Sequence, residues 1–306
     1  MTLPELHDQL LSLLGERVRF AVPLARYTSF RIGGPADVLV EPASAEELQA
    51  VISLLGQEKI PYFVLGGGTN LLVSDKGVRG AVIRLGEPFN YQYWDEAAEA
   101  ALVRVGAARP LGRFVREAVA RGYGGVEFAE GIPGSVGGGL LMNAGAFGGE
   151  LSRVVEHVNG VGSNGKRVQL SSEAVGFAYR RTTLPPGFIV TEVVFRLTRG
   201  VAETLATKMQ QAQQKRQATQ PHGYPNAGSI FKNPSQTYAG KLIETAGLKG
   251  MTCGHAQVSE RHANFIVNKG GATATEVKRL MERVQHEVWE KHQVSLEPEV
   301  RLVGEW

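Results

Sequence analysis

Two glycine clusters and three polar clusters supply the residue types from which a reactive site could be built. The denser glycine cluster is EGIPGSVGGGLLMNAGAFGGE, Glu130 to Glu150, in which eight of the nineteen positions from Gly131 to Gly149 are glycine. Average usage is about one in fourteen. Ile132, Val136, Leu140, Leu141, Met142 and Phe147 are interleaved with the glycines, so the stretch is no floppy linker. Glycine lets another group approach the main chain closely. One reading is therefore a ligand laid against bare backbone amides. The other is a set of tight turns between short buried strands, and glycine content alone does not separate the two.

The second cluster, LGGGTNLLVSDKG (65–77), follows a strand-like run. A Rossmann fingerprint needs a helix directly after its glycines, to set the helix N-terminus on a pyrophosphate. Here Asn70, Leu71, Leu72 and Val73 follow instead, which are strand formers, and no GK[ST] of a P-loop is present. A loop between two strands whose amides face an anion does fit. Two such clusters could converge on one extended ligand, and FAD is long enough to need both; turn glycines are the plainer alternative. The polar clusters are AYRRTTLP, with Tyr179, Arg180 and Arg181; NAGSIFKNP, with Ser229, Lys232 and Asn233; and LEPEV, with Glu299 after a proline. Each also has an ordinary structural reading: an arginine paired with a carboxylate, a turn serine, a surface glutamate.

Composition limits what these clusters can serve. The chain has 306 residues, 43% hydrophobic and 21% charged, with a net charge of +3. That describes a soluble globular protein of two or three domains. Its basic residues are scattered among acids, unlike a nucleic-acid footprint, so a small anionic ligand is the more economical partner. The lone cysteine, Cys253, rules out a disulfide framework and fits a reducing cytoplasm. No apolar run approaches the ~20 residues of a membrane span. The N-terminal MTLPELHDQLLSLLGERVRF lacks the basic n-region and cleavage site of a secretory signal. His255 and His262, or His286 and His292, lack the i, i+4 spacing of a helical metal site, and no metal is expected.

The elements that must position these clusters are legible in outline. Ser44 and Glu47 form an expected capping box before Leu48, Val51, Ile52 and Leu55, which repeat with helical period. This helix lies between strand-like ADVLVEP (36–42) and IPYFVLGGG (60–68), a βαβ pattern. AVIRLG (81–86) and EAALVRVGA (99–107) read as strands, and LGRFVREAVARGYGG as a helix ended by Gly122. VVEHVNGVGSNGKRVQLS reads as a hairpin turning in type I′ fashion at Asn164–Gly165. FIVTEVVFRLTR (188–199) is a strand, and polar ETLATKMQQAQQKRQATQ a helix leading into another domain. A strand NFIVNKG, a helix capped by Thr273 and Glu276, and a strand-like VSLEPEVRLVG bent at Pro298 complete the chain. The class is α+β or α/β.

YTSFRIGGPAD, LGGGTNLLVSD, GIPGSVGGGLLMNAGAFGGE, YRR, GSIFKNP, AGKLIETAGLKG, VSERHANFIVN and LEPEVRLVG occur in this order. The series resembles the UDP-N-acetylenolpyruvoylglucosamine reductases, the MurB family of peptidoglycan synthesis, from about Tyr27 to the C-terminus. The resemblance implies an α+β protein: a two-subdomain FAD-binding fold of the vanillyl-alcohol-oxidase (PCMH) type plus a C-terminal α/β substrate-binding domain. The expected parts are residues 1–80 and 81–198 for the flavin subdomains and 199–298 for substrate, with 299–306 returning to the first. Only a short TTLPPG separates YRR from FIVTEVVF, so the chain resembles the shorter of the family's two subtypes, without an inserted substrate-capping tyrosine.

The implied reaction is NADPH-dependent reduction of UDP-N-acetylglucosamine enolpyruvate through noncovalently bound FAD, in a cytoplasmic and monomeric enzyme with no nucleic-acid or membrane partner. The implied flavin contacts are Leu65, Gly66, Gly67, Gly68, Thr69, Asn70 and Leu71, then Gly131, Ile132, Pro133, Gly134, Ser135, Gly137, Gly138, Asn143, Ala144 and Gly145. Arg180 is implied to meet the enolpyruvyl carboxylate, and Ser229 to deliver the final proton. Glu299 assists in a protonated or proton-sharing form, which burial favours. Tyr179, Lys215, Arg216, Lys232 and Asn233 are the expected substrate contacts. Two alternatives stand beside this: an oxidase of the same flavin fold, although LGGGTN lacks the histidine many such oxidases use to tether FAD, and a nucleotide-binding module without catalysis.

Overall fold

The computed structural model describes residues 3–306, which form two compact units. The first comprises residues up to Phe20, Val38–Gly67 and Gly80–Lys215; the second comprises Ala21–Asp37, Gly68–Arg79 and Arg216–Trp306.

An antiparallel sheet dominates the first unit, in the order Arg167–Ser171, Val155–Val161, Ile189–Arg199, Ala100–Gly106, Gln92–Glu96, with Tyr123–Gly124 also pairing to Ile189–Arg199. Its buried face alternates as a half-buried strand must: Val193 stands opposite Val105 and Phe195 opposite Val103, all four fully buried. The Leu111–Ala120 helix covers that face because Leu111, Phe114, Val115 and Ala118 recur on one side. The Phe114 and Phe195 rings meet at 4.6 Å.

A smaller sheet has the order Val18–Pro23, Pro35–Val40, Val78–Arg84, Tyr62–Leu65. The two strands expected to flank the Ala45–Gln57 helix as a βαβ unit are both present, with Val78–Arg84 between them. Leu48, Val51, Ile52 and Leu55 bury that helix against Val38, Val40 and Ile83, with Leu10 of the Leu3–Leu14 helix in the same core. The expected capping box is only half formed. The Ser44 hydroxyl accepts from the Glu47 amide, but the Glu47 carboxylate turns to the Ala43 amide and to Arg17. The salt-bridged arginine outbids the N-cap amide for it.

The Asn164–Gly165 turn is also wider than expected. Val161 pairs with Arg167, leaving a five-residue loop, residues 162–166, and of the Asn164–Gly165 pair only Gly165 takes a positive φ. A type I′ turn needs both. Inside the dense glycine cluster, residues Val136–Leu141 form a helix that composition does not suggest. The polar Ala202–Thr219 helix is present. Its inward side is a narrow stripe of Leu205, Met209 and Ala212, spaced i, i+4, i+7.

The second unit holds a three-stranded antiparallel sheet, Thr252–Cys253, Ala256–Val258, Ile266–Asn268, and a parallel pair, Leu71–Val73 with Arg301–Val303. Pro298 marks the bend: the segment before it only bridges to Phe231, and regular pairing resumes at Arg301. The Ala274–His292 helix buries Val277, Leu280, Met281, Val284 and Val288 against Phe30, Leu72, Phe231 and Ile266. Among the described residues no helix is long and apolar enough to cross a membrane.

The N-terminus of that last helix explains why the loop carrying Asp75 is held. Thr273 and Glu276 form the full capping box, and Asp75, about two hundred positions earlier, accepts from the Ala274 and Thr275 amides at 2.8 and 2.9 Å and from the Thr275 hydroxyl at 2.7 Å. Desolvation is the largest single influence on Asp75 and raises its pKa; the Thr275 hydroxyl and the two amides together outweigh it, so the carboxyl lies below its ordinary 3.8. A depressed pKa gives stability that is fully present above 3.8 and is lost as pH falls through the lower folded value. Asp75→Ala should cost about 1–2 kcal/mol at neutral pH. In urea titrations repeated across pH, the gap between wild type and variant should close on acidification below ~4; a constant gap would show that the carboxylate charge plays no part.

Candidate functional site

The first unit places the two glycine clusters side by side. Leu65 ends its strand and is buried, and Gly66 and Gly67 follow it. A Cβ on Gly67 would stand 2.7 Å from Gly134 Cα, and one on Gly66 2.9 Å from the Ser135 hydroxyl. No side chain fits at this approach. The Gly131–Ser135 loop is braced from behind: Leu111 donates to the Gly134 carbonyl at 3.0 Å, Val136 to Arg109 at 2.9 Å, and Gly137 to Ala107 at 2.9 Å. The Ser135 hydroxyl caps the Val136–Leu141 helix by accepting from Gly138. Among the described residues no acceptor takes the amides of Gly67, Gly134 and Ser135. Unspent donors on a backbone bared of side chains form a cradle for an anion.

Asn143, Ala144 and Gly145 continue from that helix. Asn143 is buried and adopts φ +39; its amide group donates to the Ala178 carbonyl at 3.2 Å and accepts from Ser152 at 3.0 Å. Ala178 and Arg181 bond to each other in both directions, at 3.0 and 3.2 Å, so Tyr179 and Arg180 are the corners of a tight turn. Arg180 takes φ +57, a left-handed position more natural to glycine or asparagine. Its guanidinium donates to the Gly145 carbonyl at 2.8 Å and lies 5.0 Å from the Tyr179 ring centroid. The catalytic candidate Arg180 thus meets the end of the flavin-loop series. Lys215 lies in the same unit, its ammonium 4.9 Å from the Phe147 ring centroid.

The second unit brings Ser229 and Glu299 onto neighbouring stretches of backbone. Ser229 pairs with Phe265, Ile230 donates to Asn264, and Glu299 donates to the Ile230 carbonyl at 2.8 Å. Ile230 and Phe231 are buried anchors beneath. A Cβ on Gly228, which has φ +75, would meet nothing within 4 Å, so there is room beside Ser229. Gly68, Thr69, Asn70 and Leu71 belong to this unit, and Asn70 donates to the Glu299 carbonyl at 3.0 Å. Lys232 pairs with Glu297, Asn233 accepts from the Ala239 amide, and Arg216 donates to Gln220.

One residue that pattern reading passes over is Asn264. It is 3% exposed, and its amide group accepts from Phe231 at 3.0 Å and donates back to the Phe231 carbonyl at 2.8 Å. That clamp fixes the segment carrying Ser229. Beside it, burial is the largest influence on His262 and lowers its pKa, and its Nδ1 accepts from the Asn264 backbone amide. Among the described residues no group of three or more His, Cys, Asp or Glu could hold a metal ion.

Residues 36–171 match the model of an FAD-binding domain, and residues 220–303 that of the C-terminal domain of UDP-N-acetylenolpyruvoylglucosamine reductase. The chain is 50% identical to UDP-N-acetylenolpyruvoylglucosamine reductase 2 of Symbiobacterium thermophilum, over 94% of this chain and 92% of that one. It is 45% identical to the corresponding reductase of Caldanaerobacter subterraneus over 97% and 98%. The crystal structure of the reductase of Thermus caldophilus superposes with a TM-score of 0.80 at 39% identity, covering 92% of this chain and 97% of that one. A VAO-type flavoprotein of Myceliophthora thermophila shares the fold, with a TM-score of 0.52 at 12% identity over 97% and 63%.

The cradle has the donor chemistry and the bareness that FAD phosphates require. Gly67→Val forces a branched side chain into the 2.7 Å approach to Gly134 and should yield protein that purifies without its yellow flavin. Absorbance of the purified variant near the flavin band is the measurement, and full occupancy would refute the cradle.

Proposed function

This chain belongs to the UDP-N-acetylenolpyruvoylglucosamine reductase family, and from that premise we propose which of its residues carry the chemistry. It is an FAD- and NADPH-dependent oxidoreductase of peptidoglycan synthesis, with a vanillyl-alcohol-oxidase-type flavin fold and a C-terminal domain. It reduces the enolpyruvyl ether of UDP-N-acetylglucosamine enolpyruvate to UDP-N-acetylmuramate. Nothing favours the oxidase or the non-catalytic module.

We assign the amides of Gly67, Gly134 and Ser135 to the flavin phosphates, with the rest of both loops shaping the cofactor's bed. Bound FAD supplies the hydride, having received it from NADPH. An isolated enol ether is a poor hydride acceptor, and it becomes a good one only when its carboxylate absorbs the developing charge. Arg180 meets that carboxylate with a fixed cation and holds the charge through the enediolate. Glu299, protonated or sharing a proton, donates to the same charge-rich oxygens. The Ser229 hydroxyl then gives its proton to the α-carbon, where the enediolate's electron pair forms the new C–H bond. The observation that carries this reading is the Glu299 amide bonded to Ile230, which sets Glu299 on the backbone next to Ser229. The open space at Gly228 supports it. Tyr179, Lys215, Arg216, Lys232 and Asn233 are assigned to the sugar nucleotide.

We also propose the three-part division at residues 80, 198 and 298, supported by the return of Arg301–Val303 to Leu71–Val73. A cytoplasmic monomer without nucleic-acid or membrane partners completes the reading; the single cysteine suits a reducing compartment.

The two half-reactions test the assignments separately. Flavin reduction by NADPH needs no proton from Ser229, whereas substrate reduction does. In anaerobic stopped flow, Ser229→Ala should leave flavin bleaching by NADPH nearly intact and slow reoxidation by substrate about 10²–10⁴-fold. Ser229→Cys should recover part of the rate. Normal substrate reduction by Ser229→Ala would end the proton-donor assignment. Arg180→Lys keeps the charge and loses the planar fork, so substrate reduction should suffer far more than NADPH oxidation; equal losses would point to a folding defect.

A further inference from the structure

In the second unit, the segment from Ser229 to Lys232 runs between two other stretches of chain. On one side Ser229 pairs with Phe265, and the Ile230 amide donates to the Asn264 carbonyl at 2.9 Å. On the other, Glu299 donates to the Ile230 carbonyl at 2.8 Å and Lys232 to the Glu297 carbonyl at 2.8 Å. In a regular strand the amide and carbonyl of one residue face the same neighbour, and those of the next residue face the opposite one. Ile230 departs from this, with its amide on Asn264 and its carbonyl on Glu299. The chain thus twists over at the residue directly after Ser229.

The Asn264 side chain holds the chain at that twist. Phe231 turns both its amide and its carbonyl to Asn264, whose Oδ1 accepts from the first at 3.0 Å and whose Nδ2 donates to the second at 2.8 Å. A carboxamide offers the same donor and acceptor as a peptide group, so it stands in for a rung that no backbone supplies here. The Ser229 hydroxyl, by contrast, has no hydrogen-bond partner among the described residues. Gly228 before it sits at φ +75 in open space. Backbone alone therefore places the hydroxyl, and the doubly bonded Phe231 is its nearest side-chain anchor.

We propose, on the assignment of Ser229 as proton donor, that Asn264 is a positioning residue for proton transfer: by fixing Phe231 it sets Ser229 and Glu299 in register at Ile230. Flavin reduction by NADPH has no use for this register. Substrate reduction needs the hydroxyl aimed at one carbon atom, and a misplacement of about 1 Å costs on the order of 10²-fold. Asn268, four residues on, is a matched comparison. It is buried to the same degree and its carboxamide is also engaged, but with Phe30, Gly270 and Ala272 rather than with the Ser229 segment.

A double-mutant cycle in anaerobic stopped flow, on the FAD-loaded protein, tests this. Asn264→Ala should slow flavin reoxidation by substrate about 10²-fold while leaving flavin reduction by NADPH within about 3-fold of wild type. In a Ser229→Ala background the same change should cost about 10-fold at most, the remainder acting through Glu299, whereas independent sites add in free energy. Asn268→Ala should lower the urea midpoint comparably, yet have the same effect on substrate reduction in both backgrounds. Asn264→Ser, which can keep one of the two bonds to Phe231, carries the same cycle where Asn264→Ala loses flavin. An undiminished cost of Asn264→Ala in the Ser229→Ala background would overturn the proposal. So would equal losses in the two half-reactions, equal coupling of Asn268→Ala, or loss of flavin from both Asn264 variants. Normal substrate reduction by Ser229→Ala alone is a separate outcome: it removes the proton-donor assignment, and this proposal with it.

Discussion

The approach of Gly67 to Gly134 is the constraint on which the flavin half of the molecule depends. Two backbones lie so close that a single methyl group on Gly67 would overlap Gly134. Such contact places main-chain amides where side chains normally stand, and these amides point at whatever fills the space. A bare loop is entropically costly to order, so its support has to come from behind. Here it does: three backbone bonds tie residues 134–137 to residues 107–111, while Val136 and Leu140 are fully buried. The apolar residues among the glycines are thus the foundation of the cradle.

The periodic helices were legible because burial of one face dictates them. Leu48–Leu55, Leu111–Ala118 and Val277–Val288 all lie inward as their spacing requires. The Val136–Leu141 helix was not, since its three glycines each disfavour helix by ~1 kcal/mol relative to alanine. Tertiary contact overrides that preference: a Cβ on Gly137 would stand 2.9 Å from the Ala107 methyl, so the helix can dock there only with glycine. Asn164 illustrates the opposite failure. Its pairing with glycine suggests a two-residue turn, yet the strands end a residue or two earlier, and the register with Arg167 decides the loop.

Site residues were less legible than elements. Arg180, Ser229 and Glu299 stood out through family resemblance, because no local spacing links positions so far apart in sequence. Ser229 and Glu299 become neighbours only through the Ile230 carbonyl, and Asn70 reaches Glu299 across more than two hundred residues. Asn264 did leave a signal. It and Asn268 stand four apart in an otherwise apolar run, and both are buried. A buried amide must find partners; Asn264 finds Phe231, and Asn268 finds the Phe30 carbonyl and the amides of Gly270 and Ala272. Two asparagines bracketing a short apolar run therefore signal long-range clamps.

Arg180 shows what the fold gives up to place a cation. At the second corner of the turn between Ala178 and Arg181, glycine would be unstrained, whereas a residue with a Cβ bears a cost of ~1–2 kcal/mol. The turn tolerates it because the flanks are fixed: Ala178 and Arg181 bond in both directions, and Asn143 holds the Ala178 carbonyl. The guanidinium in turn rests on the Gly145 carbonyl and beside the Tyr179 ring. A long side chain held at both its backbone and its head loses little further entropy when it meets an anion. Local preference alone would put glycine or asparagine at this corner. An arginine there makes sense when its work is to stabilise charge that appears only during reaction, since a cation already in position needs no reorganisation at that moment.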